Sequence, residues 1–391
     1  MTTVDLAQTI DFTAAPAVLR VESTSRRVQQ PASTADLVSL AVGEPDFDTP
    51  QKIVDAANES AARGRTHYAP MAGDAALRER LATEIAALRG LPTSASDVLV
   101  TQGGTAGLSA AILATVGPGD RVVIPDPTYS LYADLVSLAG ATAVHVPLAD
   151  DLHWDLDALR SALRGARMFV FCNPGNPTGI VHSRAEIEAL AEMLAGTDTI
   201  VLADEAYAAL SFTDEPFTSA LQVPALEGRT IYCQTFSKNY AMTGWRVGYL
   251  WGPSSIIEAA TRVHGTFNGS LNTFVQDAAI VALDECDGDI ERMRESYLRR
   301  REIMREALAE VPGIELSEPE GAFYFFPRYD APLSAVEMVA YLREHGVAVR
   351  PGSEFGTHGE GRIRLSYAAS DEAIRTGVAR MAEAMAALRS S

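Results

Sequence analysis

Two cations, Lys238 and Arg246, lie eight residues apart in the segment TFSKNYAMTGWRVGYL (235–250). The rest of this segment consists mostly of small, aromatic and β-branched residues, which are typical of a protein interior. Lysine and arginine are rarely buried without a partner. A lysine in apolar surroundings becomes a better nucleophile, and the planar fork of an arginine matches two phosphate oxygens. The segment therefore predicts an amine nucleophile beside an anion-binding group.

Polar or aromatic residues follow two apolar runs that are typical of buried strands. Gly104 and Thr105 come after VLVT (98–101) and open a helix, whose free N–H groups suit a phosphate. A glycine pair before a helix is also common in ordinary tight turns. Tyr129 follows RVVIP (121–125) and offers an aromatic face. Neither feature alone indicates a binding site, and both must be considered with the other strand ends.

Two more runs end in side chains that can hydrogen-bond. Asn176 lies in the turn CNPGNPTG after the run at 168–171, where prolines and asparagines also serve ordinary turn geometry. Asp204 ends the apolar run at 199–204, and Tyr207 follows three residues later. A carboxylate at the end of an apolar strand is desolvated and requires a partner. We therefore expect Asp204 to face a positively charged or hydrogen-bonding group.

The run IYCQTF (231–236) leads directly into Ser237 and Lys238, which completes a set of five strand ends. In open α/β sheets the ligand lies beyond the carboxyl ends of the strands. Together these ends offer a phosphate-binding turn, an aromatic face, an amide, a carboxylate with a phenol, and a lysine. This set predicts pyridoxal phosphate, which proteins hold through a Schiff-base lysine and an acidic partner for the pyridine nitrogen.

The elements that position these residues follow from hydrophobic patterning. Seven short apolar runs rich in Val and Ile, which also include 142–147 and 247–252, predict strands of a mostly parallel sheet. Amphipathic patterns at 106–117 and 183–196 predict helices between them. The fold expected is α/β, with a large domain built on a mostly parallel seven-stranded sheet flanked by helices, and a smaller α+β domain.

A chain of 391 residues, 47% of them hydrophobic, exceeds the size of a typical single core. We expect three regions: an N-terminal segment (1–44), which holds no strong strand and packs on the small domain or a dimer partner; a large cofactor-binding domain (45–288); and a small C-terminal domain (289–391). The last contains a charged helix at 291–311, two strands and a final helix at 371–390.

Composition excludes several classes of function. The net charge of −19 disfavours binding to nucleic acid and to anionic membranes. We expect neither a signal peptide nor a membrane span. Cys172, Cys233 and Cys286 match no disulfide framework or zinc pattern, which predicts a cytoplasmic protein. The spacing of the histidines, among them His153 and His264, predicts packing or surface residues and no metal site.

The order and spacing of several segments resemble the class I/II aminotransferases, which are fold-type I pyridoxal-phosphate enzymes. The likeness is greatest to the aspartate/aromatic/alanine aminotransferase-like branch. It runs over nearly the whole chain, through AVGEPDFDTP (41–50), THYAPMAGDAALRERLA (66–82), GGTAGL (103–108), NPGNPTG (173–179), DEAY (204–207), SKNYAMTGWRVGY (237–249) and RIRLSYA (362–368).

The resemblance implies a role for each matching residue. Lys238 would form the Schiff base and move the substrate proton, and Asp204 would keep the pyridine nitrogen protonated. Tyr207 and Asn176 would hydrogen-bond the ring hydroxyl, and Tyr129 would stack on the ring. The residues that would hold the phosphate are Gly104, Thr105, Ser237 and Arg246.

Three further matches concern the substrate and the assembly. Arg364 would clamp the substrate α-carboxylate, with Gly43 and Asn176 beside it. Without the resemblance, the position of Arg364 in RIRLSYA favours a surface arginine at a strand edge. Tyr68 would reach the phosphate of a neighbouring subunit, which implies a homodimer with shared sites.

The resemblance implies an aminotransferase that moves an amino group from an L-amino acid to a 2-oxo acid. An alternative is a pyridoxal-phosphate lyase or oxidase that uses the same Schiff base and releases ammonia. A ligand-sensing domain of a transcription regulator is disfavoured, because the likeness begins near residue 40 and the chain is acidic.

Donor preference is predicted from Thr105. Some aspartate-specific relatives carry a lysine at this position, where it reads a side-chain carboxylate. With threonine here, specificity for acidic donors loses one support, and the mildly apolar surroundings favour a neutral or aromatic amino donor. The arginines that remain as replacements for reading an acidic side chain are Arg20, Arg26, Arg27 and Arg262.

Overall fold

The computed structural model describes residues 13–24 and 36–390. The strands, in chain order, are β1 (Val38–Ser39), β2 (Val98–Thr101), β3 (Arg121–Asp126), β4 (Thr142–Pro147), β5 (Met168–Cys172), β6 (Ile200–Asp204), β7 (Thr230–Thr235), β8 (Gly248–Trp251), β9 (Ile314–Glu315), β10 (Tyr324–Phe325), β11 (Arg328–Tyr329), β12 (Val347–Ala348), β13 (Arg350–Pro351) and β14 (Ile363–Ser366).

The α-helices, in chain order, are α1 (Pro16–Thr24), α2 (Gln51–Ala62), α3 (Ala75–Arg89), α4 (Gly103–Thr115), α5 (Leu131–Leu138), α6 (Leu156–Ala162), α7 (Arg184–Met193), α8 (Phe236–Asn239), α9 (Ser254–Asn268), α10 (Thr273–Glu285), α11 (Asp287–Ala309), α12 (Ala335–Glu344) and α13 (Asp371–Ser390). None of these helices is long and apolar enough to cross a bilayer.

The central sheet has seven strands in the order β2-β8-β7-β6-β5-β3-β4. Neighbouring strands are parallel except where β8 pairs with β2 and β7. Every residue of β5, β6 and β7 is buried, which explains why these strands read as continuous apolar runs. The predicted mostly parallel seven-stranded α/β sheet is confirmed.

Helices begin close to where the sequence predicts them. The helix predicted at 106–117 starts earlier, at Gly103, which takes a left-handed conformation (φ +77°) and turns the chain directly from β2 into α4. The helix predicted at 183–196 is α7, whose first turn is closed by a capping box between Ser183 and Glu186. Both helices therefore start at the edge of the sheet where β2 and β5 end.

The C-terminal part carries α11, α12 and α13 around small sheets, among them the antiparallel order β10-β14-β13. β1 pairs in parallel with β12, so the N-terminal segment contains a strand that was not expected. Two residues are too short to give a periodic pattern. The helix α1 contacts α5, where Arg20 Nε donates to Ser137 O at 3.0 Å. The domain boundaries at 44 and 288 stay a prediction.

Candidate active site

A cavity of about 730 Å³ lies at the edge of the central sheet where the parallel strands have their carboxyl ends. Because neighbouring parallel strands end at the same edge, residues distant in sequence come together there. The predicted site residues that line it are Gly43, Gly104, Thr105, Tyr129, Asn176, Asp204, Tyr207, Ser237, Lys238, Arg246 and Arg364.

Lys238 lies on the short helix α8, directly after β7. Its Nζ donates to Gly43 O at 2.6 Å and lies 5.8 Å from the centre of the Tyr207 ring. Burial, and to a lesser degree the charge of Arg364, lowers the pKa of Lys238 to about 8. The sequence holds only two lysines, and the other, Lys52, has a side chain that is 42% exposed. Lys238 is thus a half-buried amine that loses its proton easily.

Asp204 is the last residue of β6 and is buried at the base of the cavity. Its Oδ2 accepts a hydrogen bond from the Tyr132 hydroxyl at 2.7 Å, and its Oδ1 accepts from Ala206 N at 3.2 Å. Burial raises the pKa of Asp204, and these two hydrogen bonds oppose the rise. The sequence analysis missed Tyr132, although its place three residues after Tyr129 at the start of a helix could have indicated it.

Arg364 is buried, so the interpretation as a surface arginine is wrong. Its Nη1 donates to Asn176 Oδ1 and its Nη2 to Ala41 O, both at 2.9 Å. Its Nε is buried without a hydrogen-bond partner among the described residues. The guanidinium lies 4.3 Å from the centre of the Tyr324 ring. A buried guanidinium with an unpaired N–H can accommodate a carboxylate.

Tyr207 and Tyr324 bring their hydroxyls within 2.8 Å of each other beside this guanidinium. Tyr324, on β10, is a further lining residue that the sequence analysis missed. It lies in the predicted strand segment GAFYFFPRY, but nothing in that pattern separates an inward-facing tyrosine from a core residue.

The start of α4 and Arg246 form the opposite end of the cavity. A Cβ on Gly103 would lie 2.5 Å from Arg246 Nη2, so only glycine lets the guanidinium approach the helix start this closely. Arg246 has φ +55°, which costs a non-glycine residue about 1–2 kcal/mol. Contrary to the impression from its apolar neighbours, Arg246 is exposed, with Nη1 donating to Thr243 O at 2.8 Å. Helix N–H groups, a guanidinium and hydroxyls suit an anion.

Several predicted residues lie elsewhere. Tyr68 is 99% exposed and borders a separate depression formed with residues 270–274. Arg262 is exposed and pairs with Glu258 on its own helix, and Arg20 contacts α5. Arg26 and Arg27 lie outside the described residues.

An ion pair between Arg350 and Glu354 also lines the cavity, next to Phe355. The sequence analysis missed it because the segment RPGSEFG (350–356) shows neither strand nor helix periodicity. The wall of the cavity thus contains an arginine that is paired with a carboxylate.

The residues present fit pyridoxal phosphate. The cavity combines an amine of lowered pKa, a buried carboxylate, an anion-binding helix start whose glycine admits Arg246, and the unpaired Nε of Arg364. A Schiff-base lysine and an acidic partner for the ring nitrogen are what this cofactor requires.

Comparison with known proteins agrees with this geometry. Residues 35–381 match the family model for aminotransferase class I and II. An aspartate aminotransferase of Pyrococcus horikoshii is 35% identical over 357 residues, covering 90% of this chain and 91% of that protein. An aspartate/prephenate aminotransferase of Cereibacter sphaeroides is 35% identical over 375 residues, covering 92% and 93%, respectively.

Among solved structures, an aromatic aminotransferase from Pyrococcus horikoshii superposes with a TM-score of 0.89 at 34% identity, covering 95% of this chain and 99% of that one. These likenesses extend over both the central sheet and the C-terminal part. The prediction of a pyridoxal-phosphate-dependent aminotransferase is thereby confirmed, and the chain belongs to the class I and II aminotransferases.

Proposed function

We propose that this enzyme transfers the amino group of an L-amino acid to a 2-oxo acid, with Lys238 as the residue that bonds the cofactor and moves the proton at the substrate Cα. The observation that carries the proposal is the position of Lys238. This half-buried amine of lowered pKa opens onto the same cavity as the Asp204 carboxylate and the Arg364 guanidinium. An amine, a carboxylate and a carboxylate-binding group are what amino-group transfer on this cofactor needs.

The cofactor would be held at both ends. Asp204, oriented by Tyr132, would hold the pyridine nitrogen. Tyr207 and Asn176 would contact the ring hydroxyl, and Tyr129 the ring face. When bound, pyridoxal phosphate supplies an electron sink for the charge left at the substrate Cα. The phosphate would lie against Gly104, Thr105, Ser237 and Arg246.

The substrate α-carboxylate would bind Arg364, next to Asn176 and the backbone of Gly43. Nη1 and Nη2 of Arg364 are already held by fixed acceptors, so the guanidinium cannot rotate away. A clamped carboxylate orients the Cα–H bond, and orientation of this kind contributes strongly to rate. Lys238 Nζ then removes the proton from Cα as a general base.

We propose donors with neutral side chains, aromatic ones included. Among the described residues that line the cavity, Arg350 is paired with Glu354, and Lys238, Arg246 and Arg364 have the tasks given above. No cation of this set is left over to read a side-chain carboxylate. Two of the relatives are named for aspartate, so acidic donors are the competing outcome.

We propose a cytoplasmic homodimer in which Tyr68 contributes to the site of the other subunit. A tyrosine that is 99% exposed and lies outside its own cavity supports a contact with a second chain. Three cysteines, each buried as a free thiol, support a reducing compartment.

The test is a single half-reaction. Holoenzyme is mixed with one amino acid at a time, without acceptor, and the released 2-oxo acid and ammonia are measured. We expect about one equivalent of 2-oxo acid per site from phenylalanine or other neutral donors, with no ammonia, and further turnover once a second 2-oxo acid is added. Release of ammonia would instead indicate a lyase or oxidase, and a response to aspartate alone would overturn the donor proposal. Lys238→Ala serves as the inactive control.

A further inference from the structure

Two histidines and a glutamate meet outside the cavity described above. His153 lies between β4 and α6, His182 in the segment between β5 and α7, and Glu186 in the first turn of α7. Glu186 Oε1 lies 3.1 Å from Nδ1 of His153 and 3.1 Å from Nδ1 of His182. One potential ligand atom from each of the three residues lies within 4.8 Å of the others. Their spacing in the sequence gave no indication of this cluster.

The three side chains are held in place by their neighbours. Trp154 stacks on the His182 ring with 4.0 Å between ring centres and an interplanar angle of 24°. Ser183 N and Oγ donate to Glu186 Oε2 at 2.8 and 2.9 Å. The second oxygen, Oε1, therefore stays directed at the two imidazoles. Sites of this kind are precise when neighbouring contacts fix the ligands before binding.

A second carboxylate, Glu320, lies next to the cluster. Glu320 Oε2 lies 3.7 Å from Nε2 of His153, on the side of the ring away from Glu186, and accepts a hydrogen bond from Val181 N at 2.9 Å. Histidines that bind a metal through one nitrogen commonly direct the other toward a carboxylate, which fixes the ring and raises its basicity. Glu320 is placed for this outer role.

The cluster is reached from solvent through an acidic depression. His153 lines a surface cavity of about 450 Å³ together with five carboxylates and two arginines, namely Asp150, Asp151, Glu315, Glu318, Glu320, Arg328 and Arg362. The carboxylates outnumber the arginines, and an excess of negative charge around a cleft attracts cations. The depression thus gives access to His153, and the His182 ring lies buried behind it.

We propose that His153 Nδ1, His182 Nδ1 and Glu186 Oε1 bind a first-row divalent cation of the Zn²⁺ class. Bonds of about 2.0–2.2 Å to nitrogen and oxygen in a tetrahedron place ligand atoms about 3.3 Å apart, close to the two Nδ1–Oε1 separations of 3.1 Å. Two imidazoles and a carboxylate suit this borderline cation and leave a fourth position for water. On binding, the proton on His153 Nδ1 leaves to solvent and that on His182 moves to Nε2.

Such a cation would join the segment between β4 and α6, which holds His153, to the start of α7, which holds Glu186 and follows His182. His182 closes the loop that carries Asn176, and Glu320, which His153 contacts, precedes the strand of Tyr324. Asn176 and Tyr324 both line the main cavity. The site therefore acts as a clamp on two segments of the active-site wall, and its existence does not depend on which amino acid the enzyme uses.

The test uses untagged holoenzyme, treated with a chelator and freed of it, and titrated with ZnCl₂ by calorimetry. We expect one equivalent of Zn²⁺ per chain and an unfolding temperature that rises with Zn²⁺, because the cation binds only the folded chain. His153→Gln should abolish both effects, and Glu320→Gln should weaken binding about 10- to 100-fold. His345→Gln, which changes an exposed histidine outside the cluster, is the matched control.

Several results would overturn the proposal. Absence of Zn²⁺ uptake by the wild type would show a network of hydrogen bonds and ion pairs only. Equal uptake by wild type and His153→Gln would place the cation elsewhere. If His153→Gln does not fold, anomalous diffraction at the zinc edge from wild-type crystals decides, since a peak bounded by His153, His182 and Glu186 is required.

Discussion

At the scale of single residues, Lys238 shows how surroundings change an amine. Burial lowers its pKa to about 8, so the neutral form dominates above that pH. An amine-directed acylating reagent should therefore modify Lys238 in the apoprotein with a rate that rises through pH 8. The yield at each lysine can be followed by peptide mass spectrometry. Lys52, exposed on α2 and the only other lysine, reports on reagent consumption in the same tube.

If the rate of Lys238 modification instead rose with an inflection near pH 10.4, the ordinary lysine pKa of about that value, the lowered pKa would be contradicted. The same apoprotein offers a second control. Arg364→Ala removes a cation whose charge contributes to the lowering, so the inflection should move to higher pH. An unchanged inflection in that variant would leave burial as the whole cause.

Tyr132 is expected to act through Asp204. Its hydroxyl donates to a buried carboxylate at 2.7 Å, and a hydrogen bond to a charged group contributes about 1.5–3 kcal/mol. Tyr132→Phe should lower kcat about 10- to 100-fold, and Asp204→Asn should lower it further, about 10²- to 10³-fold. Steady-state kinetics with a saturating donor measure both. Tyr341→Phe, which removes a hydroxyl bonded to Ala384 O outside the cavity, should leave kcat unchanged.

At the scale of elements, the end of β3 fixes the turn that carries part of the cavity wall. The Asp126 carboxylate accepts from Thr357 N at 3.1 Å, Thr357 Oγ1 at 2.9 Å and His358 N at 3.2 Å. Gly356 has φ +151°, and a Cβ there would overlap the carboxylate. This turn follows directly on Glu354 and Phe355. The geometry of the wall thus depends on a glycine and a buried aspartate that do not themselves line the cavity.

Gly356→Ala should therefore destabilise the fold by about 1–3 kcal/mol, through both backbone strain and the overlap. Calorimetry should show a lower unfolding temperature, and the KM for the donor should rise because Phe355 is displaced. The control is Gly117→Ala, since a Cβ at Gly117 meets open space. Equal unfolding temperatures for the two variants would show that the turn can adapt.

At the scale of the whole molecule, active sites shared between two subunits predict that two inactive variants can complement each other. If Tyr68 serves the partner subunit's site, Lys238→Ala and Tyr68→Ala chains co-expressed in equal amounts should restore activity. Half of the dimers would then be mixed, each with one intact site, so about a quarter of wild-type activity returns. Specific activity of the purified mixture is compared with that of each variant alone.

A pairing of Lys238→Ala with Arg364→Ala gives the matched control, because both residues line the cavity of their own chain. No mixed dimer would then contain an intact site. Restoration in both pairings, or in neither, would refute the role of Tyr68 in the second subunit.

Much of the fold could be predicted from the sequence because the central strands are buried on both faces. A strand such as β6 then reads as one apolar run, and its end marks the edge where ligands bind. This reasoning brought Asp204 and Lys238 into one crevice, although their roles stay predictions. Two-residue strands such as β1 left no comparable pattern.

The site residues that the sequence did not predict were missed because their contacts are distant in sequence. Tyr132 meets Asp204 across 72 positions of sequence, and Tyr324 meets Tyr207 across 117. A local pattern cannot encode such a pairing, because it depends on how the helices and the C-terminal strands pack on the sheet. The ion pair of Arg350 with Glu354 is local, but its segment has no periodic pattern that would place it at the cavity.

The reversed direction of β8 has a consequence for how this site can be inherited or transplanted. Antiparallel neighbours are joined at one edge of the sheet, so the link from β7 to β8 (236–247) stays at the edge where the cavity lies, whereas a parallel strand would require a crossover back to the opposite edge. This link carries both Lys238 and Arg246, so the residue proposed to bond the cofactor and the residue proposed to hold its phosphate lie in one contiguous segment. Recombination that exchanges residues 236–247 therefore exchanges both proposed roles together.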